Sequence, residues 1–268
     1  MDGMLVTGTD KMLARKADGI GWMTFNNPER HNAVSMEMWQ AAERILTDFS
    51  ADPEVRVVIV TGAGGKAFVS GADISKFESE RASEEAVNAY QAQTKKVYDL
   101  LADCPKPTIA MIQGHCIGGG TALAVTCDMR ICGETASFGV PAAKLGLGYP
   151  IEGIRRLVDI VGPSFAKEIF FTAKRWSAED ARIMGLVNRV VPNDKLEEFV
   201  VDYAKTIAGN APLTVASVKV IVREALKDRG MADEALCDRL VKQCFASEDY
   251  IEGRRAFMEK RPPQFKGR

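Results

Sequence analysis

The sequence predicts a mixed α/β (α+β) chain of strand, strand, helix units followed by a helical region. Short apolar runs recur at Val55–Val60, Thr108–Ile112 and Met129–Cys132, as expected of strands buried on both faces. Glycine-bearing turns follow the first two, at Thr61–Lys66 with Gly71 beyond it and at Gly118–Gly120, and Ala136–Gly139 adds another short run after the third. From Ser164 onward the apolar spacing becomes helical. At 268 residues the chain can bury one large core. We expect a core over 1–195 carrying the site and a helical region over 196–268.

Taken in order, Met12–Phe25 reads as two strands joined at Asp18-Gly19, a dipeptide suited to a tight hairpin turn. Asn26–Asn32 breaks regular structure, with Pro28 inside it. Ser35 is placed to cap a helix whose Met38, Ala42, Ile45 and Phe49 recur at helical spacing until Asp52-Pro53. Ser75–Leu101 is polar and helix-forming, and Pro105 and Pro107 end it. Further helices are expected over Ala166–Phe171, Ala178–Met184 behind a Ser177 cap, Leu196–Ala208, Leu213–Lys227, Met231–Phe245 and Tyr250–Lys260.

Composition excludes several classes. With 35 basic and 36 acidic side chains, the chain has no charge excess to offer a nucleic acid. No apolar run is long enough to span a bilayer, and Met1–Val6 does not resemble a secretory signal. The six cysteines lack Cys-x-x-Cys pairs and zinc-ligand spacing, so we expect reduced thiols in a cytoplasmic setting and no metal. With only His31 and His115, a Ser-His-Asp triad has little material.

The two glycine turns point to chemistry. Gly118-Gly119-Gly120 removes every Cβ where a strand gives way to a helix, exposing main-chain N–H groups at the positive end of a helix. Close helix packing is the plain alternative. The earlier turn ends in Ser70-Gly71-Ala72-Asp73. Two such turns can aim one amide each at a common point, and two converging N–H donors stabilise an oxyanion.

Phe68–Ile74, Gly118–Gly120, Ala136–Pro141 and Met184–Pro192 together resemble the crotonase (enoyl-CoA hydratase/isomerase) superfamily, in its order and over nearly the whole chain. The resemblance implies a spiral of ββα units with a C-terminal helical trimerisation region, hence a homotrimer or dimer of trimers. It implies an acyl-CoA substrate, coenzyme A being part of it and no separate cofactor being needed. The amides of Ala72 and Gly119 would hold the thioester oxygen. Arg30, Asp73, Ile74, Phe257 and Lys260 fall on its coenzyme A or substrate-binding positions, and Ser75–Leu101 on the stretch that lines the acyl pocket.

One departure stands out. The two glutamates of the family's hydratases fall on Ala122 and Ala142, whose methyl groups carry no proton. The remaining candidates for acid or base are Glu152, otherwise a carboxylate at a helix start, and His115, otherwise a hydrogen-bonded structural histidine. The expected activity is therefore enolate stabilisation on an acyl-CoA by a lyase or isomerase in which ordinary two-glutamate hydration is doubtful. The alternative is a non-catalytic acyl-CoA binding protein or inactive paralogue.

Overall fold

The computed structural model describes residues 3–73, 83–228 and 230–268, so Ile74 and the first part of the expected pocket-lining stretch lie outside the described residues. The hairpin forms as expected. Strands β2 (Met12–Ala17) and β3 (Ile20–Phe25) pair antiparallel, with β1 (Gly3–Met4) on the far side of β2. Asp18 and Gly19 both take positive φ, 53° and 77°, as a hairpin turn matched to strand twist requires.

After helix α1 (Met36–Ala51), the chain adds strands to two sheets alternately. Strand β4 (Val57–Gly62) joins the first sheet and β5 (Ala67–Val69) the second, before helix α2 (Glu84–Ala102). Strands β6 (Thr108–Ile112) and β7 (His115–Ile117) repeat the pattern before helix α3 (Gly119–Thr126). Strands β8 (Met129–Gly133) and β9 (Ser137–Gly139) repeat it again before helix α4 (Ile151–Thr172). This is the spiral of ββα units. Within the first sheet β3, β4, β6 and β8 run parallel, and within the second β5, β7 and β9 do.

Strand β10 (Trp176–Ser177) pairs antiparallel with β9, and after helix α5 (Ala178–Ile183) strand β11 (Arg189–Val191) closes the first sheet beside β8. Helices α6 (Leu196–Ala208), α7 (Pro212–Ala225), α8 (Glu234–Phe245) and α9 (Glu248–Glu259) follow.

The sheets and helices α1 to α4 enclose the main core, where Phe25, Phe49, Phe68 and Phe138 are fully buried. The other face of the first sheet is covered by α6, whose Leu196, Val200 and Ala204 pack on Trp22, Ile59 and Ile109. The helical region expected from residue 196 therefore begins inside the core's packing. Farther out, Val218, Val222, Phe245, Ile251 and Phe257 are exposed.

Several local expectations are refined. Ser177 and Asp180 form a reciprocal capping box at α5, whereas Ser35 occupies the N-cap of α1 with its hydroxyl turned to Glu37 rather than to a backbone N–H. The helix read at Ala166–Phe171 is the second half of α4, which starts at Ile151 and breaks at Gly162 (φ 74°) ahead of Pro163.

Candidate functional site

Buried β5 delivers the chain to Ser70-Gly71-Ala72-Asp73, where Gly71 takes φ 103°, a conformation that a side chain would strain. The turn is clamped by a single parallel bridge. Val34 N donates to Gly71 O at 2.9 Å, and Asp73 N donates to Val34 O at 3.0 Å. Because the Gly71 carbonyl faces Val34 and the peptide is trans, the Ala72 N–H points the opposite way.

Buried β7 delivers the second turn. Gly118 takes φ 56° and its N–H is held by Gly139 O at 2.8 Å, so α3 starts at Gly119 with an N–H that has no partner inside the helix. The two turns lie close enough that a methyl on either glycine would be in van der Waals contact with the other. A methyl added at Gly71 would lie 3.6 Å from Gly119 N, and one added at Gly119 would lie 3.5 Å from Gly71 Cα. The third glycine serves packing, since a methyl at Gly120 would stand 1.9 Å from Val69 O.

Helix α2 braces both turns through its tyrosines. Tyr90 Oη donates to Val34 O at 3.1 Å and accepts from Trp39 Nε1 at 2.9 Å, which fixes the strand that clamps Ala72. Tyr98 Oη donates to Gly119 O at 3.2 Å, its ring edge-on to Trp39 at 5.6 Å. Sequence reasoning did not single these out. The available signal was Tyr90, Val97, Tyr98 and Leu101 along one side of an otherwise polar helix, whose buried residues are Tyr90, Val97 and Leu101.

The remaining candidate residues scatter around this junction. Ala122 lies on α3, half-buried, and Ala142 is buried in the 3-10 turn Pro141–Leu145, so neither position carries a titratable group. Glu152 is exposed in the first turn of α4 and close enough to Lys95 to help raise its pKa. His115 is committed elsewhere, with Nδ1 2.8 Å from Ser137 Oγ and its ring 5.9 Å from that of His31. Burial, with Arg175 and His31 adding to it, holds that imidazole below the usual histidine range.

Arg30 is exposed, but its carbonyl accepts from Ser70 Oγ at 3.4 Å, which sets the Pro28–Arg30 loop against the first turn. Asp73 is buried with its N–H on Val34. Phe257 is 82% exposed on α9, and Lys260 is the exposed left-handed residue that ends it. Among the described residues no cluster of three or more His, Cys, Asp or Glu side chains could hold a metal, and no helix is long and apolar enough to cross a membrane.

Comparison with known proteins fits this architecture. The family model for enoyl-CoA hydratase/isomerase matches residues 15–268. The chain is 35% identical to a crotonyl-CoA hydratase from Syntrophomonas wolfei, covering 96% of this chain and 98% of that one. It is 34% identical to a mitochondrial enoyl-CoA hydratase from Pongo abelii over 94% of this chain and 85% of that one. A solved enoyl-CoA hydratase from Bacillus anthracis superposes with a TM-score of 0.91 at 32% identity, covering 97% of this chain and all of that one. With its spiral of alternating strands and its family match across nearly the full length, the chain belongs to the enoyl-CoA hydratase/isomerase family, the crotonase superfamily.

Proposed function

We propose that this protein is an enzyme acting on an acyl-CoA thioester, in which the N–H groups of Ala72 and Gly119 stabilise the negative oxygen of an enolate. The observation that carries the reading is the close approach of Gly71 and Gly119 in the two turns, with the Ala72 N–H directed away from Val34 and the Gly119 N–H unused by its helix. Each such donor contributes about 10²–10³ in rate when the charge develops in the reaction.

Coenzyme A enters as part of the substrate. Arg30, beside the first turn, is suited to its phosphates. The exposed aromatic and cationic pair Phe257 and Lys260 is suited to its adenine end. Ile74 and Asp73 complete the binding positions in this reading, and the exposed apolar side chains of the C-terminal helices serve assembly into a trimer or dimer of trimers, in a cytoplasmic setting. No cofactor beyond coenzyme A is required.

The two-glutamate hydration is not the activity we assign. A positioned acid or base contributes about 10²–10⁴, and Ala122 and Ala142 supply neither. Isomerisation, decarboxylation, C–C cleavage or hydration by other groups all pass through a thioester oxyanion. Incubation with a panel of acyl-CoAs including crotonyl-CoA, followed by mass spectrometry, tests the assignment. Conversion of at least one thioester without rapid crotonyl-CoA hydration is expected, and fast crotonyl-CoA hydration would refute the role given to the alanines. The same two alanines favour a second reading, a non-catalytic acyl-CoA binder, for which every thioester would bind and none would react.

A further inference from the structure

We propose that the Tyr98 hydroxyl is the proton donor of this site, taking over work that Ala122 and Ala142 cannot do. The inference rests on the acyl-CoA reading above.

Position is the first argument. Tyr98 Oη donates to Gly119 O at 3.2 Å and would lie 3.8 Å from a methyl added at Gly119. It therefore stands beside the residue whose N–H is assigned to the thioester oxygen, on the face that a side chain there would occupy. The ring is fixed edge-on against Trp39, while the hydroxyl hydrogen is free to rotate about its C–O bond from Gly119 O to a reacting carbon.

Elimination is the second. Glu152 is exposed at the start of α4, His115 is held by Ser137, and residues 122 and 142 are alanines. Of the other phenols nearby, Tyr90 is held between Val34 O and Trp39 Nε1, and Tyr149 packs its ring on Phe170 at 4.9 Å.

The protonation state is consistent with a donor. Burial, and then the neighbouring Tyr149 and Tyr90, push the Tyr98 phenol well above its ordinary range, with Arg156 pulling weakly the other way, so it holds its proton at neutral pH. In the step itself, the Tyr98 O–H bond breaks as a C–H bond forms at the α-carbon of the enolate. The enolate's negative charge passes to the phenolate oxygen, which then takes a proton from water and releases hydroxide.

The test compares wild type with Tyr98→Phe, which keeps the ring against Trp39. Both are incubated in D₂O with malonyl-CoA, acetoacetyl-CoA and crotonyl-CoA, whose decarboxylation, cleavage and hydration each leave an enolate to be protonated. Deuterium at the α-carbon is followed by mass spectrometry, and acetyl-CoA affinity is measured by calorimetry. We expect Tyr98→Phe to deliver deuterium about 100-fold more slowly or worse while binding acetyl-CoA within about threefold of wild type. A rate within threefold of wild type overturns the proposal. So does a parallel fall of rate and affinity, which would make Tyr98 only a brace for Gly119. Wild type that binds acetyl-CoA but labels none of the three products also overturns it and leaves the binding reading standing. Wild type that binds no thioester overturns the acyl-CoA reading, and this proposal with it.

Discussion

Tyr90 donates its hydroxyl proton to Val34 O at 3.1 Å while accepting Trp39 Nε1 at 2.9 Å, and Val34 in turn clamps both sides of Ala72. A helix that follows the first turn in sequence thus sets the backbone of that turn through one phenol. Tyr90→Phe leaves the buried indole N–H without this acceptor, at a cost of roughly 1–3 kcal/mol. Chemical denaturation will read the loss, and Trp39→Phe added to Tyr90→Phe should cost less than Trp39→Phe alone, because the N–H left unpaired by the first change is gone.

Adjacent glycines should respond in opposite ways. Gly120→Ala drives a methyl into Val69 O, a backbone atom, and should destabilise by about 3 kcal/mol or more. Gly119→Ala meets its neighbours only at 3.5–3.9 Å, so the fold should survive with a near-native melting temperature. Its methyl would fill the space between Gly71 and Tyr98 while its N–H is kept, so turnover of any acyl-CoA substrate should fall by less than the roughly 100-fold that loss of an oxyanion donor costs.

Acid should weaken the fold through His115. Burial, Arg175 and His31 lower its pKa, so near and below the ordinary value of 6.5 the unfolded chain binds a proton more readily than the folded one. The stabilisation is present above that value and is lost as pH falls toward the lowered folded value. Urea midpoints at pH 7.5 and 5 should therefore differ more for wild type than for His115→Gln.

The carboxylate of Asp128 accepts from Thr108 N at 2.7 Å, Thr108 Oγ1 at 2.9 Å and Lys219 Nζ at 2.8 Å, tying β6, the end of α3 and α7 together. Asp128→Asn removes the charge and one acceptor position, with an expected loss of roughly 1–3 kcal/mol. Differential scanning calorimetry checks it.

Restoring both carboxylates is the converse experiment on the chemistry. Ala122→Glu combined with Ala142→Glu should raise crotonyl-CoA hydration at least about 100-fold over wild type. Because Ala142 is only 6% exposed, the double variant should also melt lower.

Much of the fold was legible because the relevant signals are local. Asp18-Gly19 specifies a hairpin, Ser177 with Asp180 specifies a helix start, and the glycines at 71 and 118 mark positive-φ turns. The first half of α4 was legible only as a helix start beside Glu152, because Gly146, Gly148, Pro150 and Gly153 leave little apolar periodicity to follow. Glu152 could be nominated from its place in the chain, but its exposure depends on how α4 packs. Tyr98 and Tyr90 were missed for a deeper reason. Their importance lies in carbonyls of Gly119 and Val34, which become neighbours only when the spiral closes.

The alternation of strands between sheets has a kinetic corollary. Since β4 and β5, β6 and β7, and β8 and β9 each split between two sheets, successive strands of one sheet are separated in the chain by a strand of the other. From β4 to β9 each pairing within a sheet therefore closes a loop that carries a strand of the other sheet, which makes these contacts long-range. Cutting the chain between Gly133 and Ser137 should leave one piece with β5 and β7 and another with β9 and β10, so that the second sheet is restored only when the two pieces associate.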